Sequence, residues 1–302
     1  MKKLSYMLSA LLAAVGFSSA ASADVSVSGS GSVTVSADGT NTETILASGI
    51  AFALSTTTAN GMSISTSGSV SNGTTVEAAG AGGFSSVAFS TGGSTITIGK
   101  VEVPNGTGDV GPAASDMTKQ GDKGNLATSS FGVNGTVEAA GVSLSTAVGG
   151  ASVTVGYVYN AAGTTQGDIS GTNTATGVSI SMPLGGMTAS LGYVTDGTQN
   201  QSGASVAMAL GGGTVTVGYG ATTATAANET SMGAKYAMSL DADTSMTIGY
   251  NSTKAATPHT KTGVALSRSL GGGASVFLEA INYAGAGATA GTDIGIGTSF
   301  AF

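Results

Sequence analysis

Residues 204–219 read Ala-Ser-Val-Ala-Met-Ala-Leu-Gly-Gly-Gly-Thr-Val-Thr-Val-Gly-Tyr. Apolar residues hold every second position up to Leu210, and after the glycines they again hold every second position up to Tyr219. A period of two is that of a β-strand with one apolar face, and consecutive glycines supply the positive φ angles of tight hairpin turns. The stretch therefore predicts two antiparallel strands joined by a short turn.

The same hairpin pattern recurs along the second half of the chain. Apolar residues alternate on both sides of short turns at Gly149-Gly150, Gly185-Gly186, Asp241–Asp243 and Gly271–Gly273. With the weaker alternation before residue 102, the pattern predicts about sixteen strands of roughly ten residues, the length of a tilted membrane strand. Short turns alternate with longer polar loops, as they do when one rim of a barrel faces the periplasm.

The composition suits a barrel better than a soluble globular fold. The 302 residues include 50 glycines, no cysteine and no tryptophan, and 8% are charged. Val, Ile, Leu and Phe form roughly a fifth of the chain, which is little for a packed core. A barrel turns its apolar side chains to lipid and needs no such core. The sequence thus predicts an all-β fold, a transmembrane antiparallel β-barrel of about 16 strands with a long loop folded into the lumen.

The N-terminus is predicted to be a cleaved secretory signal peptide, residues 1–23. Lys2 and Lys3 precede a short apolar run, which ends in Ala21-Ser-Ala23. This order of charged, apolar and small residues is typical of such signals. The mature chain, 24–302, is then one barrel domain with seven basic and sixteen acidic residues, a net charge of −9.

The segment 102–130 is the longest stretch without strand alternation. A loop of this length in a compact fold is usually functional or disordered, and we expect it to fold into the lumen and narrow it. Its charged residues are the candidates for the pore constriction: Glu102, Asp109, Asp116, Lys119, Asp122 and Lys123. Carboxylates at a constriction favour cations. A solvated outer loop with no gating role is the alternative.

Three further charged residues are predicted to lie on the lumen wall: Lys235, Lys261 and Glu279. Lys235, for example, falls between two residues of an apolar face and should point the other way. Arg268 shares the parity of the leucines around it, which predicts a lipid-facing position near the periplasmic rim, where a long side chain can reach water. A β-bulge could instead turn it inward.

Five tyrosines late in rising strands predict an aromatic girdle at one membrane interface: Tyr157, Tyr193, Tyr219, Tyr250 and Tyr283. The first four directly follow a glycine, and the fifth follows an asparagine. We expect all five on the apolar face at one height, where half-wet tyrosines are favourable. The alternative is that tyrosine is simply a good strand residue.

In layout, the chain resembles the general diffusion porins of Gram-negative outer membranes. The resemblance covers the mature chain and rests on the signal peptide, sixteen alternating strands, the charged loop after the fifth strand and the ending Ile294-Gly-Ile-Gly-Thr-Ser-Phe300-Ala-Phe302. It implies that the third outer loop bends into the lumen and sets the pore. It also implies that Phe300 and Phe302 form an assembly signal for the barrel-assembly machinery, and that the protein is a homotrimer in outer-membrane lipid.

The predicted function is a passive channel for small hydrophilic solutes and ions, with mild cation selectivity. An exported β-rich adhesin or surface-layer protein is the alternative, because chains rich in Gly, Ser, Thr and Ala also build those. A sugar-specific channel would need a ladder of lumen aromatics, and no catalytic residues are recognisable. We expect no cofactor and no nucleic-acid partner, while a weak calcium site in the loop or at Asp241 and Asp243 stays open.

Overall fold

A computed structural model describes the strands of the chain and several of its turns. The described residues are 24–37, 42–72, 86–102, 138–159, 174–195, 200–223, 228–254, 258–285 and 291–301. The predicted signal peptide and all of the predicted constriction loop except Glu102 lie outside them. Within these ranges, no helix is long and apolar enough to cross a membrane.

Sixteen β-strands make up almost all of the described chain, which confirms the predicted number. They are β1 Asp24–Ala37, β2 Thr42–Thr57, β3 Ser63–Asn72, β4 Ser86–Thr91, β5 Ser94–Glu102, β6 Glu138–Val148, β7 Ala151–Tyr159, β8 Thr174–Leu184, β9 Met187–Thr195, β10 Asn200–Leu210, β11 Gly213–Thr223, β12 Glu229–Ser239, β13 Thr244–Lys254, β14 His259–Gly271, β15 Ala274–Gly285 and β16 Gly291–Ala301. The first two strands are longer than their alternation predicted.

The strands form one closed antiparallel barrel in which each pairs with its neighbours in the sequence. Closure comes from β16, which pairs with β1 from Ser30–Ala301 to Ala37–Ile294. A closed sheet pairs the backbone groups of every strand on both sides, which a lipid environment requires. Each of the sixteen strands therefore has a paired neighbour on both sides over at least part of its length.

Glycine pairs form the tight turns at one rim. Gly149 and Gly150 have φ angles of 57° and 85°, and the flanking residues Val148 and Ala151 are directly paired. Positive φ at both central residues defines the type I′ turn, whose twist matches that of the adjoining strands. The same geometry recurs at Gly92-Gly93, Gly185-Gly186 and Gly211-Gly212. This rim of short turns corresponds to the predicted periplasmic side.

Side chains alternate between a lipid face and a lumen face. Large apolar side chains on the lipid face are strongly exposed, with Leu191 at 54%, Leu210 at 59% and Ile296 at 53%. Soluble monomers rarely expose apolar patches of more than a few hundred Å². A band of such residues around the barrel is what a membrane-spanning barrel presents to lipid.

The strand register sets the tilt and width of the barrel. Stepping from one hydrogen-bonded partner to the next around all sixteen strands returns to β1 about 20 residues from the starting point. With a rise of ~3.3 Å per residue and ~4.8 Å between strands, this offset corresponds to a tilt of about 40° and a backbone diameter of about 30 Å. Both suit a transmembrane barrel with a wide lumen.

Four of the five predicted girdle tyrosines lie on the lipid face at one level. Tyr157, Tyr193, Tyr219 and Tyr250 are each the seventh residue of a strand that rises from the turn rim. Their side chains are 39%, 42%, 49% and 45% exposed. This is the arrangement that an interface girdle requires.

Tyr283 does not belong to this row, and its prediction was wrong. It is the tenth residue of β15, so its parity is opposite to that of the seventh residue, Ala280. Tyr283 faces the lumen, is only 8% exposed and pairs with Lys261 on one side and Gly291 on the other. The sequence carried the signal, because asparagine rather than glycine precedes this tyrosine.

Replacing Tyr193 and Tyr219 with aspartate is expected to slow folding of the denatured barrel into lipid vesicles by about tenfold. Each change exchanges a favourable interfacial ring for a carboxylate, at a cost of up to about 1 kcal/mol near the interface. Heat-dependent gel mobility against time measures folding. Tyr283→Asp is the matched control, and it should leave the rate of insertion unchanged because residue 283 faces the lumen. Equal slowing in both variants would contradict the assigned faces.

Candidate functional site

The lumen face consists mainly of small and hydroxyl-bearing residues. Hydroxyl pairs link neighbouring strands there: Ser145 and Thr154 lie 2.9 Å apart, and Ser275 and Ser299 lie 2.7 Å apart. A hydroxyl that makes one such bond can still bond to water, since it has one donor and two acceptor sites. The face is therefore suited to an aqueous lumen.

Ten consecutive strands, β5 to β14, place a glycine on the lumen face at one level, which we call the glycine belt. The belt consists of five cross-strand pairs: Gly99–Gly141, Gly156–Gly177, Gly192–Gly203, Gly218–Gly233 and Gly249–Gly263. In four rising strands the belt glycine directly precedes a girdle tyrosine. Glycine inside a strand often marks close approach of another backbone or a ligand. The belt therefore offers a side-chain-free track along more than half of the wall.

Lumen-facing side chains that lie two residues further from the turn rim than the glycine belt are buried. This buried ring consists of Val101, Val158, Ala175, Val194, Gln201, Ser231, Asn251, Lys261 and Ile281, which are 0–7% exposed. By contrast, lumen-facing residues next to the short turns, such as Ser152, Thr188 and Ser239, are exposed. The lumen wall thus changes from exposed to buried along the strands.

The buried ring has an apolar and a polar sector. Its members on β5 to β9 are valine and alanine, whereas those on β10 to β14 are polar. Asn251 links the polar sector: its Nδ2 donates to Ser231 Oγ at 3.1 Å, and its Oδ1 accepts from Thr253 Oγ1 at 3.2 Å. The Oε1 atom of Gln201 is buried and accepts no hydrogen bond from the described residues. Such a polar atom is costly unless something in the lumen donates to it.

Near the level of the glycine belt and the buried ring, the described lumen wall carries two lysines and two carboxylates. Lys235, Lys261 and Glu279 lie on the predicted lumen face, and Glu279 is 3% exposed. Asp293 of β16 is a fourth charged residue that the sequence analysis missed, although its parity opposite the exposed Ile294 could have revealed it. Glu279 is the sixth residue of β15, the position that belt glycines hold in other rising strands. On β15, next to the last strand of the belt, the charged Glu279 therefore replaces the glycine.

Tyr283 contributes its ring to this charged sector. Lys261 Nζ lies 5.1 Å from the Tyr283 ring centroid, within the range of a cation–π interaction. The His259 ring stacks on the Tyr283 ring at a centroid distance of 6.2 Å and an interplanar angle of 23°. His259, the single histidine of the chain, is the first residue of β14 and lies on the lumen wall.

Of the predicted constriction residues, the described part of the chain includes Glu102 alone. Glu102 is the last residue of β5 and pairs with Glu138 of β6, where the loop leaves the barrel. The others lie outside the described residues: Asp109, Asp116, Lys119, Asp122 and Lys123. Their role at the constriction stays a prediction.

The single arginine lies at the turn rim, on the lipid side. Arg268 Nη1 donates to Thr244 Oγ1 at 2.9 Å and to Asp241 Oδ2 at 3.5 Å. The only register shift of β14 follows at Ser269–Gly271, so no bulge turns Arg268 inward. In the turn, the backbone N–H of Asp243 and the hydroxyl of Thr244 donate to Asp241 and hold the pKa of that carboxyl below its ordinary value.

The last strand packs an aromatic ring across the closing seam. Phe300 of β16 is paired with Gly31 of β1, and its ring covers the space that a side chain at Gly31 would need. Aromatic rings over strand glycines help to fix register in a sheet. Phe302, the other half of the predicted assembly signal, lies outside the described residues.

Together, the closed sheet, the exposed apolar band and the polar lumen face define a membrane-spanning β-barrel of the channel-forming type. The sequence agrees with this class, because residues 9–288 match the family model of the Gram-negative porins. The chain belongs to the Gram-negative porin family. No curated protein sequence matches it significantly.

Solved structures of outer-membrane proteins share the fold at low sequence identity. A loop-deletion mutant of OmpT, an outer membrane protein of Vibrio cholerae, aligns with a TM-score of 0.70 at 12% identity, over 93% of this chain and 99% of its own. A mutant of the Rh. blastica porin aligns with a TM-score of 0.65 at 15% identity, over 92% of this chain and 100% of its own. The trimer form of OmpT aligns with a TM-score of 0.66 at 12% identity, over 93% of this chain and 100% of its own. At these identities the likeness concerns the fold.

Proposed function

We propose that this porin is a general diffusion channel of the outer membrane that passes small hydrophilic solutes and ions down their gradients. The observation that carries the proposal is the closed sixteen-strand barrel with a hydroxyl-rich lumen face. Barrels of this strand number leave an aqueous channel. No specific feature of the described residues favours a surface-layer protein or a barrel enzyme.

We further propose that the segment 102–130 narrows the lumen by lying against the glycine belt and the buried ring. In a barrel about 30 Å wide, the wall alone does not exclude water from its own side chains. The burial of Asn251 and Lys261 at one level therefore favours a chain segment packed on the wall there. The belt supports this, because glycines let a second backbone approach closely. The segment leaves the wall at Glu102, near that level.

The proposed pore is mildly cation-selective. Near the glycine belt and the buried ring, the charges of the described wall balance, with Lys235 and Lys261 against Glu279 and Asp293. The segment 102–130 contributes four carboxylates against Lys119 and Lys123. The net negative charge at the constriction thus comes from the loop, and carboxylates at a narrow point favour cations.

Biogenesis is proposed to follow the porin route. Residues 1–23 direct export and are removed, and the barrel-assembly machinery recognises the C-terminal strand with Phe300 and Phe302. The mature protein is proposed to form a homotrimer in outer-membrane lipid. The solved OmpT structure with the same fold is a trimer form, which supports this oligomeric state.

Purified, refolded protein is expected to form open, ohmic channels in planar lipid bilayers. The current should scale linearly with voltage at low potentials, because a water-filled lumen offers ions no barrier that depends strongly on voltage. Single-channel recording in potassium chloride measures this directly. Protein that acquires the heat-resistant mobility of a folded barrel, inserts and yet never conducts would contradict the proposed function.

A further inference from the structure

Arg268 departs from a repeat on the lipid face. Four descending strands end in the same pattern, in which a lipid-facing residue stands two positions before a leucine and its turn. That residue is methionine three times and arginine once: Met182, Met208, Met238 and Arg268. Arg268 therefore brings a charge to a level that its repeat equivalents keep apolar.

The neighbouring turn also differs from its repeat equivalents, and its residue Asp241 contacts Arg268. Gly185-Gly186 and Gly211-Gly212 form the corresponding turns elsewhere, whereas Asp241–Asp243 connects β12 to β13. Arg268 pairs in register with Thr244, the first residue after this acidic turn. Its guanidinium contacts Asp241 at 3.5 Å. A cation and two carboxylates thus stand together at the membrane edge of the turn rim.

This charge cluster is open to the membrane surface. The side chains of Arg268 and Asp241 are 55% and 54% exposed, and an ion pair so exposed contributes little to stability. Only Nη1 of the guanidinium is engaged within the described chain, so Nε and Nη2 are available donors. The Asp243 side chain takes part in no hydrogen bond with the described residues. Donors and acceptors for a further ligand therefore lie side by side.

Apolar side chains flank the cluster on the lipid face. Further from the turn than the Thr244–Arg268 pair, Met246 pairs with Leu266 on the lipid face, and the next lipid-facing pair, Ile248 and Val264, is 45% and 39% exposed. They lie on the membrane side of the charges, where the acyl chains of a lipid held at Arg268 would begin. A ligand that matches this surface combines a phosphate for Arg268, an ammonium for the Asp241–Asp243 turn, and hydrocarbon for these apolar side chains.

We propose that this rim is a binding site for one periplasmic-leaflet phospholipid with an ethanolamine headgroup, its phosphate on Arg268 and its ammonium on Asp243. Guanidinium binds phosphate well because its donors form a planar fork. The primary ammonium has three donors for carboxylates, which a choline headgroup lacks. The inference rests on the membrane setting of the proposed function, but not on conduction.

Native mass spectrometry of the detergent-solubilised barrel tests the site. The barrel is first incubated with equal amounts of phosphatidylethanolamine, phosphatidylglycerol and phosphatidylcholine of identical acyl chains. We expect phosphatidylethanolamine to be retained preferentially. Arg268→Met, which restores the repeat residue and should fold, is expected to reduce this retention about tenfold, the loss of one charged hydrogen-bonding partner. Asp243→Asn should instead abolish the preference for phosphatidylethanolamine over phosphatidylglycerol.

Met208→Arg is the matched control, because it places an arginine at the same repeat level beside a glycine turn without carboxylates. It should not increase phosphatidylethanolamine retention. Equal retention by the wild type and Arg268→Met would overturn the site, and a wild-type preference for phosphatidylglycerol would overturn the choice of headgroup. A barrel that retains the lipid but does not conduct would refute the channel and leave this site standing.

Discussion

Replacing Asp109, Asp116 and Asp122 together with asparagine is expected to shift the reversal potential in a salt gradient toward anions. The ratio of cation to anion permeability should fall by about fourfold or more. The basis is the charge distribution proposed for the lumen. The described wall near the proposed constriction is balanced, so the loop carboxylates supply the bias there. Without them, Lys119 and Lys123 stand against Glu102 alone in the segment 102–130.

The size of the effect follows from the distance between a carboxylate and the ion path. A unit charge about 5 Å from an ion in water contributes about 0.8 kcal/mol, or about a fourfold change in local cation concentration. Charges more than about 8 Å away are screened at physiological salt. The shift should therefore shrink as the salt concentration is raised, which distinguishes an electrostatic effect from a change in pore size.

Asp243→Asn provides the control for this experiment, since it removes a carboxylate in a turn at the end of the barrel. It should leave the reversal potential unchanged. If the triple variant also behaved like the wild type at low salt, the segment 102–130 would lie away from the ion path, and the proposed constriction would be refuted.

Shortening the chain by Phe302, or replacing Phe300 with alanine, is expected to lower the amount of folded barrel in the outer membrane several-fold without preventing export. Phe300 is 48% exposed, and the covered part of its ring packs over Gly31 across the seam that closes the barrel. Truncation of a half-covered phenylalanine removes about 1–2 kcal/mol of packing, less than for a fully buried one. Phe302 adds the proposed signal for assembly.

Cell fractionation with heat-dependent gel mobility separates folded, unfolded and exported protein. Phe52→Ala is a matched control, because Phe52 is 37% exposed on the lipid face of β2, far along the chain from the C-terminus. It should reduce folded yield far less than the C-terminal changes. Equal yields for wild type and both C-terminal variants would argue against a special role of the last strand.

The arrangement of the charged lumen could be predicted only in part. Parity alone places Lys235 on the lumen face, because it lies between Ala234 and Tyr236 of the apolar face. The sequence misplaces Tyr283 because β15 has apolar residues on both faces, with Phe277 and Ile281 on the face of Tyr283 and Leu278 on the other. The partner of Arg268 could not be found from sequence, since Asp241 lies 27 residues away and reaches it only through the β13–β14 register.

The sequence by itself determined the number of strands, their two faces and the tight turns. Period-two alternation and paired glycines are local signals, and each can be recognised within about ten residues. Only the tertiary structure decided which residues share a level around the wall. The glycine belt, the buried ring, the Arg268–Asp241 contact and the Phe300 ring over Gly31 all join residues distant in the chain or on different strands. Their alignment depends on the register accumulated over sixteen strands and on closure, which no single strand encodes.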